Sequence, residues 1–222
     1  KLVDFKNIVL ITSVINPSNR PLSYTKTRSV YTKDERYEQT KKTIKSLDLI
    51  DDKLVILIEG SYLSVSEEIW LKNNVDLYKN LMHDKKKYKN VKSKYKLLGE
   101  VTQTLEAVEF VKSLGLKFEN FFKITGRYEL TEKFQIKNFN NDKFVVKKIN
   151  DDINNVITSL YKVPFKYMEN YYRFLVEAKE NKKKFHLGIE KNFANFLLND
   201  KNLEIIYSNH LGIYSVISVS HD

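Results

Sequence analysis

The 222-residue chain fits one large domain or two small ones, and its 14 Tyr and 13 Phe are enough for a sizeable core. Six Gly and three Pro argue against a loop-rich all-β or disordered chain, zero Cys excludes a disulfide framework and thiol chemistry, and no apolar run is long enough for a membrane-spanning helix. A formal net charge of +10, from 38 basic and 28 acidic residues, favours an anionic partner (nucleic acid, an anionic membrane or a phosphorylated small molecule), against a mixed-sign surface that serves solubility alone.

Lys1 to Phe5 includes an acid and leads straight into a strand, which is not a secretory-signal pattern. Residues 7–14 form a continuous apolar run, the pattern of a buried strand. A long polar loop with two prolines follows over 15–31 and carries Arg20, Tyr24, Lys26 and Arg28. Thr32-Lys-Asp-Glu35 is a capping box that opens a helix with apolar positions Tyr37, Ile44 and Leu47. Residues 53–58 read as a second buried strand, Ser64-Val-Ser-Glu67 caps a short helix through Trp70 and Leu71, and 75–78 suggest a short third strand. The lysine-rich stretch 85–96 reads as a basic surface loop. It leads into a helix over 97–113, where Leu97, Val101, Leu105, Val108 and Val111 recur close to helical spacing. Strands are expected at 121–124, 144–149 and 154–161. Val163-Pro164 marks a break with Pro at a helix start. Two helices follow, one with Phe165, Met168, Tyr172 and Leu175, the other with Ile189, Phe193, Phe196 and Leu197; strands at 203–207 and 213–219 close the chain. Strand–helix alternation in the first half predicts βαβ units and a mainly parallel sheet, and the second half is mixed α+β. No linker separates the halves, so a single domain over 1–222 is expected.

Open α/β sheets bind ligands outside the carboxyl ends of their strands. Three features converge there. The first strand ends at Thr12-Ser13-Val14, ahead of the loop with Arg20, Tyr24 and Arg28. The basic segment ends at Lys94-Tyr95-Lys96, just before Leu98-Gly99-Glu100 at a helix start, where free N–H groups favour anions. The strand from Phe121 ends abruptly at Thr125-Gly126-Arg127-Tyr128, which delivers a hydroxyl, a permissive backbone and a guanidinium suited to phosphate oxygens. Together they describe a pocket for a base, a sugar and two phosphates.

Other catalytic patterns are absent from the sequence: no Walker or dinucleotide glycine motif, no nucleophile elbow, and no zinc spacing among His83, His186, His210 and His221. Glu190, in the first turn of the helix opened by His186-Leu-Gly-Ile, either complements the helix dipole or serves as a general base. Asp152, after the 144–149 strand, either faces the same cleft or belongs to a turn.

Several motifs carry a family resemblance. They are Ile-Thr-Ser-Val-Ile15, Asn-Pro-Ser-Asn-Arg-Pro-Leu-Ser-Tyr24, Glu-Arg-Tyr-Glu-Gln-Thr40, Lys-x-x-Gly-Glu100, Phe-Lys-Ile-Thr-Gly-Arg-Tyr128 and Thr-Ser-Leu-Tyr161. The chain resembles the GT-A-type glycosyltransferase-like proteins of large DNA viruses and bacterial surface-polysaccharide loci, from Ile8 to about Val219. The resemblance implies a Rossmann-like nucleotide-sugar half, about 7–130, fused to an acceptor half, about 131–220. It implies transfer of a hexose or deoxyhexose from a UDP- or GDP-type donor to a hydroxyl of a glycan or glycoprotein. Base and ribose would lie against Thr12, Ser13 and Val14. A cytoplasmic location is expected, in the host cytoplasm if the chain is viral.

The family commonly carries Asp-x-Asp, whose carboxylates hold Mg²⁺ or Mn²⁺ against the diphosphate. This sequence has none, so a divalent cation is an open question, with a lone Asp76 or Asp152 as its remaining candidates. Thr125-Gly126-Arg127 stands where that motif would fall, and Arg127, helped by Lys94 or Lys96, is expected to supply the positive charge instead. If the reaction inverts the anomeric centre, Glu190 and Asp152 are the candidate bases. The alternatives are a basic nucleic-acid-binding protein, with Tyr88 and Tyr95 stacking among the lysines of 85–96, and an inactive glycosyltransferase-like module.

Overall fold

A computed structural model describes residues 4–215. Its strands are β1 (Asn7–Ser13), β2 (Lys53–Glu59), β3 (Leu77–Asn80), β4 (Asn120–Thr125), β5 (Tyr128–Leu130), β6 (Phe144–Val146), β7 (Lys148–Ile149), β8 (Asp152–Val156), β9 (Leu160–Pro164), β10 (Ile205–Tyr207) and β11 (Ile213–Ser215). Its helices are α1 (Lys33–Ser46), α2 (Val65–Asn74), α3 (Lys85–Val91), α4 (Lys96–Ser113), α5 (Met168–Glu180) and α6 (Gly188–Asn199).

The central sheet has seven strands in the order β10-β6-β9-β4-β1-β2-β3. β1 pairs in parallel with β2 and β4, and β2 with β3. β9 runs antiparallel to both β4 and β6, so it alone opposes the common direction. Every residue of β1 is buried, as expected of a parallel strand covered on both faces. Alternation along the strands divides the core in two. Ile8, Leu10, Ile56 and Phe121 pack with Val101 and Leu105 of α4 and Tyr171 and Phe193 of α5 and α6. Val9, Ile11, Leu57 and Phe122 pack on the other face with Leu47, Leu71, Phe139 and Leu130.

The predicted α/β class, with a mainly parallel sheet and a mixed second half, is what the chain adopts. Both capping boxes form: Thr32 with Glu35 opens α1, and Ser64 with Glu67 opens α2. Several boundaries differ from the sequence reading. The basic segment is not a loop over its whole length: Asp84 accepts from Lys86 N and Lys87 N and caps α3. Only Val91 of α3 is buried, so this helix has no apolar stripe to betray it. The third strand lies two residues later than predicted, because Asp76 Oδ2 accepts from Val55 N and ends the approach to it.

The strand expected at 144–149 divides into β6 and β7, and the one expected at 154–161 divides into β8 and β9. β7 and β8 form a hairpin whose turn residues Asn150 and Asp151 have φ of 50° and 57°, the left-handed pair that a tight two-residue turn requires. Pro164 closes β9 rather than opening a helix; a 3₁₀ turn over Phe165–Tyr167 precedes α5. Of the last predicted strand, 213–215 form β11, and the remainder, like His221, lies outside the described residues.

Candidate active site: a cationic cleft at the carboxyl ends of β1 and β4

β1 and β4 run in register, Thr12 opposite Thr125, and a cleft opens where both end. Gly126 N donates to Thr12 O at 2.9 Å, and Arg127 N donates to Thr125 O at 2.7 Å. This tight turn throws the Arg127 side chain forward from the sheet edge. A Cβ on Gly126 would sit 3.2 Å from Thr40 Oγ1 and 3.3 Å from Ser13 Cβ, so glycine lets α1 close on the strand ends. After the turn, β5 carries the chain away and pairs antiparallel with β11, Tyr128 opposite Ser215.

α1 faces the cleft with Arg36 and Thr40, one turn apart on the same face. Thr40 Oγ1 donates to Gly126 O at 2.9 Å, and Arg36 Nε donates to Val14 O at 2.7 Å. The opposite wall is the first two turns of α4, where Lys96, Gly99, Glu100 and Gln103 share one face. Gln103 Nε2 donates to Ser13 O at 2.7 Å and to Ile58 O at 2.9 Å, which ties the ends of β1 and β2 to α4. A Cβ on Gly99 would lie 3.2 Å from Val91 O, so this glycine lets α3 rest against α4.

Beneath Glu100, the fully buried Lys123 of β4 donates to Glu100 Oε1 at 2.5 Å, Thr125 Oγ1 at 2.9 Å and Thr158 O at 2.8 Å. Burial opposes the Glu100 charge, but Lys123 and Lys96 outweigh it and hold the carboxyl below the usual range. Glu100 is therefore a fixed anion in a wall that is otherwise cationic: Arg28, Arg36, Lys96 and Arg127 all line the same cleft. Lys96 pairs with Glu190 at 3.5 Å. Among the described residues, none of the three arginines has a carboxylate within 4.0 Å.

Of the residues singled out from sequence, Thr12, Ser13, Val14, Arg28, Lys96, Gly99, Thr125, Gly126 and Arg127 line the cleft. Arg20, Tyr24, Lys94 and Tyr128 do not. Tyr24 is exposed on the long loop, and Lys94 stands over the Tyr95 ring with its Nζ 5.1 Å from the centroid, while its carbonyl accepts from Ser23 N. Arg28 lines the cleft but donates through Nη1 to Val91 O and through Nη2 to Ser93 O, so it fastens the loop to the carbonyl end of α3. Glu190 sits at the rim, held by Lys96. Asp152 belongs to the exposed β7–β8 hairpin, where its carboxylate accepts from Asn154 N at 2.9 Å and Asn154 Nδ2 at 3.1 Å; of its two sequence readings the turn is the one adopted.

The sequence reading missed Arg36, Thr40, Glu100, Gln103 and Lys123. In α1 it followed the apolar positions, whereas the buried stripe is polar: Arg36, Gln39, Thr40 and Thr43 are buried, and Arg36 and Thr40 line the cleft. A polar stripe on a helix that directly follows a buried strand and its loop was the available signal. The aromatics of the basic segment are already engaged. Tyr88 packs edge-on to Tyr62 with Lys92 over its ring, and Tyr95 packs on Phe185.

The carboxylates near the cleft do not make a hard-cation donor set. Glu100 and Glu190 each face a lysine, and Glu59 accepts from Ile15 N at 3.1 Å and Ser61 Oγ at 2.5 Å. Asp76, the remaining candidate from sequence, is bound to the backbone of β2. Among the described residues no three His, Cys, Asp or Glu side chains are grouped to hold a metal ion.

The sheet order, its single reversed strand and the cleft at the carboxyl ends define a GT-A-like α/β fold. Among solved structures, the chain is similar to a glycosyltransferase involved in the glycosylation of the major capsid of PBCV-1. The TM-score is 0.50 at 7% sequence identity, over 91% of this chain and 82% of that one. At that identity the likeness is one of fold. No protein-family model and no curated protein matches the chain.

Proposed function

We propose that the protein is a glycosyltransferase that moves a sugar from a UDP- or GDP-type donor to a hydroxyl of a glycan or glycoprotein acceptor, as in polysaccharide biosynthesis. The observation that carries this reading is the cluster of three arginines, with no carboxylate within 4.0 Å among the described residues, at the carboxyl ends of β1 and β4, beside the amino end of α4. Such a site takes a multiply charged anion, and the GT-A-like fold makes a sugar-linked diphosphate the natural one.

In the reaction the acceptor oxygen bonds to the anomeric carbon, and the bond from that carbon to the diphosphate oxygen breaks. The electron pair leaves with the nucleoside diphosphate, and the hydroxyl proton passes to a base. Arg127 and Lys96 stabilise the charge that develops on the leaving group. Thr12, Ser13 and Val14 offer the wall for base and ribose. Should the anomeric centre invert, Glu190 at the rim is the better placed of the two candidate bases, since Asp152 lies on the hairpin.

A thermal-shift screen against nucleotide sugars, followed by detection of released UDP or GDP with glycan acceptors, tests the proposal. Saturable stabilisation by one nucleotide class is expected. Stabilisation by oligonucleotides instead, lost steeply with salt, would favour the nucleic-acid alternative.

A further inference from the structure

Besides Arg28, which is tied to the carbonyl end of α3, two guanidiniums line the cleft with no carboxylate within 4.0 Å among the described residues. Arg36, on the second turn of α1, is only 8% exposed. Its Nε and Nη1 donate to neutral acceptors, Val14 O at 2.7 Å and Ser29 Oγ at 3.2 Å. Arg127 approaches from the turn after β4; its Nε is buried and has no hydrogen-bond partner among the described residues. Burial, then the charge of Arg127, push the Arg36 guanidinium down to about 9, with Glu59 acting in the opposite sense. Arginine keeps its proton, so its charge stands here against burial first and the neighbouring Arg127 second, a position that a bound anion would relieve. Arg36 is buried and Arg127 partly so, and like charges near one another in such a place are costly. Glu100, the one carboxylate in the wall, is already matched by Lys123.

We propose that Arg36 and Arg127 form a paired receptor for the diphosphate of the donor and neutralise the departing nucleoside diphosphate in place of a divalent cation. The proposal rests on the nucleotide-sugar reading above. A guanidinium presents a planar fork to two phosphate oxygens, so two of them can take the two adjacent phosphoryl groups. Arg36 is preset by Val14 and Ser29, so little reorganisation accompanies binding. Glu100 and Glu190 are paired with lysines and Glu59 is engaged through Oε1, its buried Oε2 having no hydrogen-bond partner among the described residues; one free carboxylate oxygen is a poor donor set for a hard cation. A monophosphate would satisfy one fork only, so the pair also selects for diphosphates.

Calorimetric titration with UDP, GDP, UMP, GMP and inorganic pyrophosphate, in EDTA and in MnCl₂, tests the pair. One nucleoside diphosphate is expected to bind in EDTA about as well as in Mn²⁺, and about tenfold or more tighter than its monophosphate. Arg127→Gln, whose wild-type side chain makes no hydrogen bond among the described residues, should fold normally and lose about tenfold or more in diphosphate affinity; Arg36→Lys should lose a comparable factor. Binding that requires Mn²⁺, wild-type affinity in Arg127→Gln, or equal affinity for mono- and diphosphates would overturn the pair and leave the transferase reading standing. Pyrophosphate bound in EDTA through both arginines, with no nucleotide bound, would support the dianion receptor and sink the nucleotide-sugar reading. Absence of binding by every probe in both buffers would overturn both.

Discussion

Lys123 carries its charge from the middle of β4 to the floor of the cleft, fully buried and with three acceptors around its Nζ. Breaking a buried pair by removing one partner is far more damaging than never having had it, because the other charge is stranded. Lys123→Met is therefore expected to destabilise the protein by about 3–5 kcal/mol in urea denaturation. Arg127→Ala should behave in the opposite way, with a melting temperature equal to or above wild type and turnover lower by about 10²–10³-fold. A rate equal to wild type would remove Arg127 from the mechanism. A second buried lysine, Lys162 of β9, donates to Asn141 O at 2.6 Å and to Asn141 Oδ1 at 3.0 Å. Burial lowers its pKa to about 8, with Asp142 opposing. Since the folded state binds this proton more weakly than the unfolded chain, the cost of burying the charge is fully present below about pH 8 and is relieved as pH rises above it. Stability measured against Lys162→Met should accordingly improve by about 2 kcal/mol between about pH 8 and 9.5. Of these residues only Arg127 was legible in the sequence, from its place behind a strand-ending glycine. Lys123 is a lone cation inside an apolar run, whose partner Glu100 lies on another element, and Gln103 reaches Ser13 across 90 positions, a distance no local pattern encodes.

The elements that were legible are those whose signals are local. The capping boxes at Thr32 and Ser64 form because a hydroxyl and a carboxylate three residues apart satisfy each other's backbone amides wherever they occur. Thr32→Ala should cost about 1 kcal/mol by thermal denaturation, and it should also loosen the helix that presents Arg36. α3 escaped notice because its boundary is set by Asp84 and its packing by one valine. The β8–β9 region escaped because β9 is chosen by its neighbours, β4 and β6, rather than by its own composition. β11 links an element-scale feature to the site: it braces β5, which begins one residue after Arg127. A chain ended at Asn209 should retain its helices by circular dichroism and bind UDP or GDP about tenfold or more weakly, since Arg127 loses its downstream anchor. Unchanged affinity would show that β4 alone fixes that guanidinium.

At the scale of the molecule, the net charge of +10 reads differently once the structure is known. Much of the excess lies in exposed lysines of α3 and the flanking segment, while the charges that matter for the cleft are a few arginines and Lys96. Raising ionic strength should therefore slow ligand capture more than it weakens the bound state. The class and the mainly parallel pairing of the first half were readable because buried strands alternate with helices; the strand order was not. The second half was not readable in the same way, since its strands are short and find partners across long sequence separations.

The reversed strand β9 has an implication for how such a chain can be inherited. It hydrogen-bonds to β4 along its whole length, yet it is made from residues 160–164, well past the site it flanks. A gene fragment ending near residue 130 would leave β4 as a naked edge, ready to pair with any passing chain. The half up to about residue 130 is thus not a cassette that recombination can lift out and attach to a new second half. Exchange of specificity has to proceed by changing loops and surface residues on an indivisible sheet, and shuffled chimaeras joined between β5 and β6 should aggregate unless β9 comes with them.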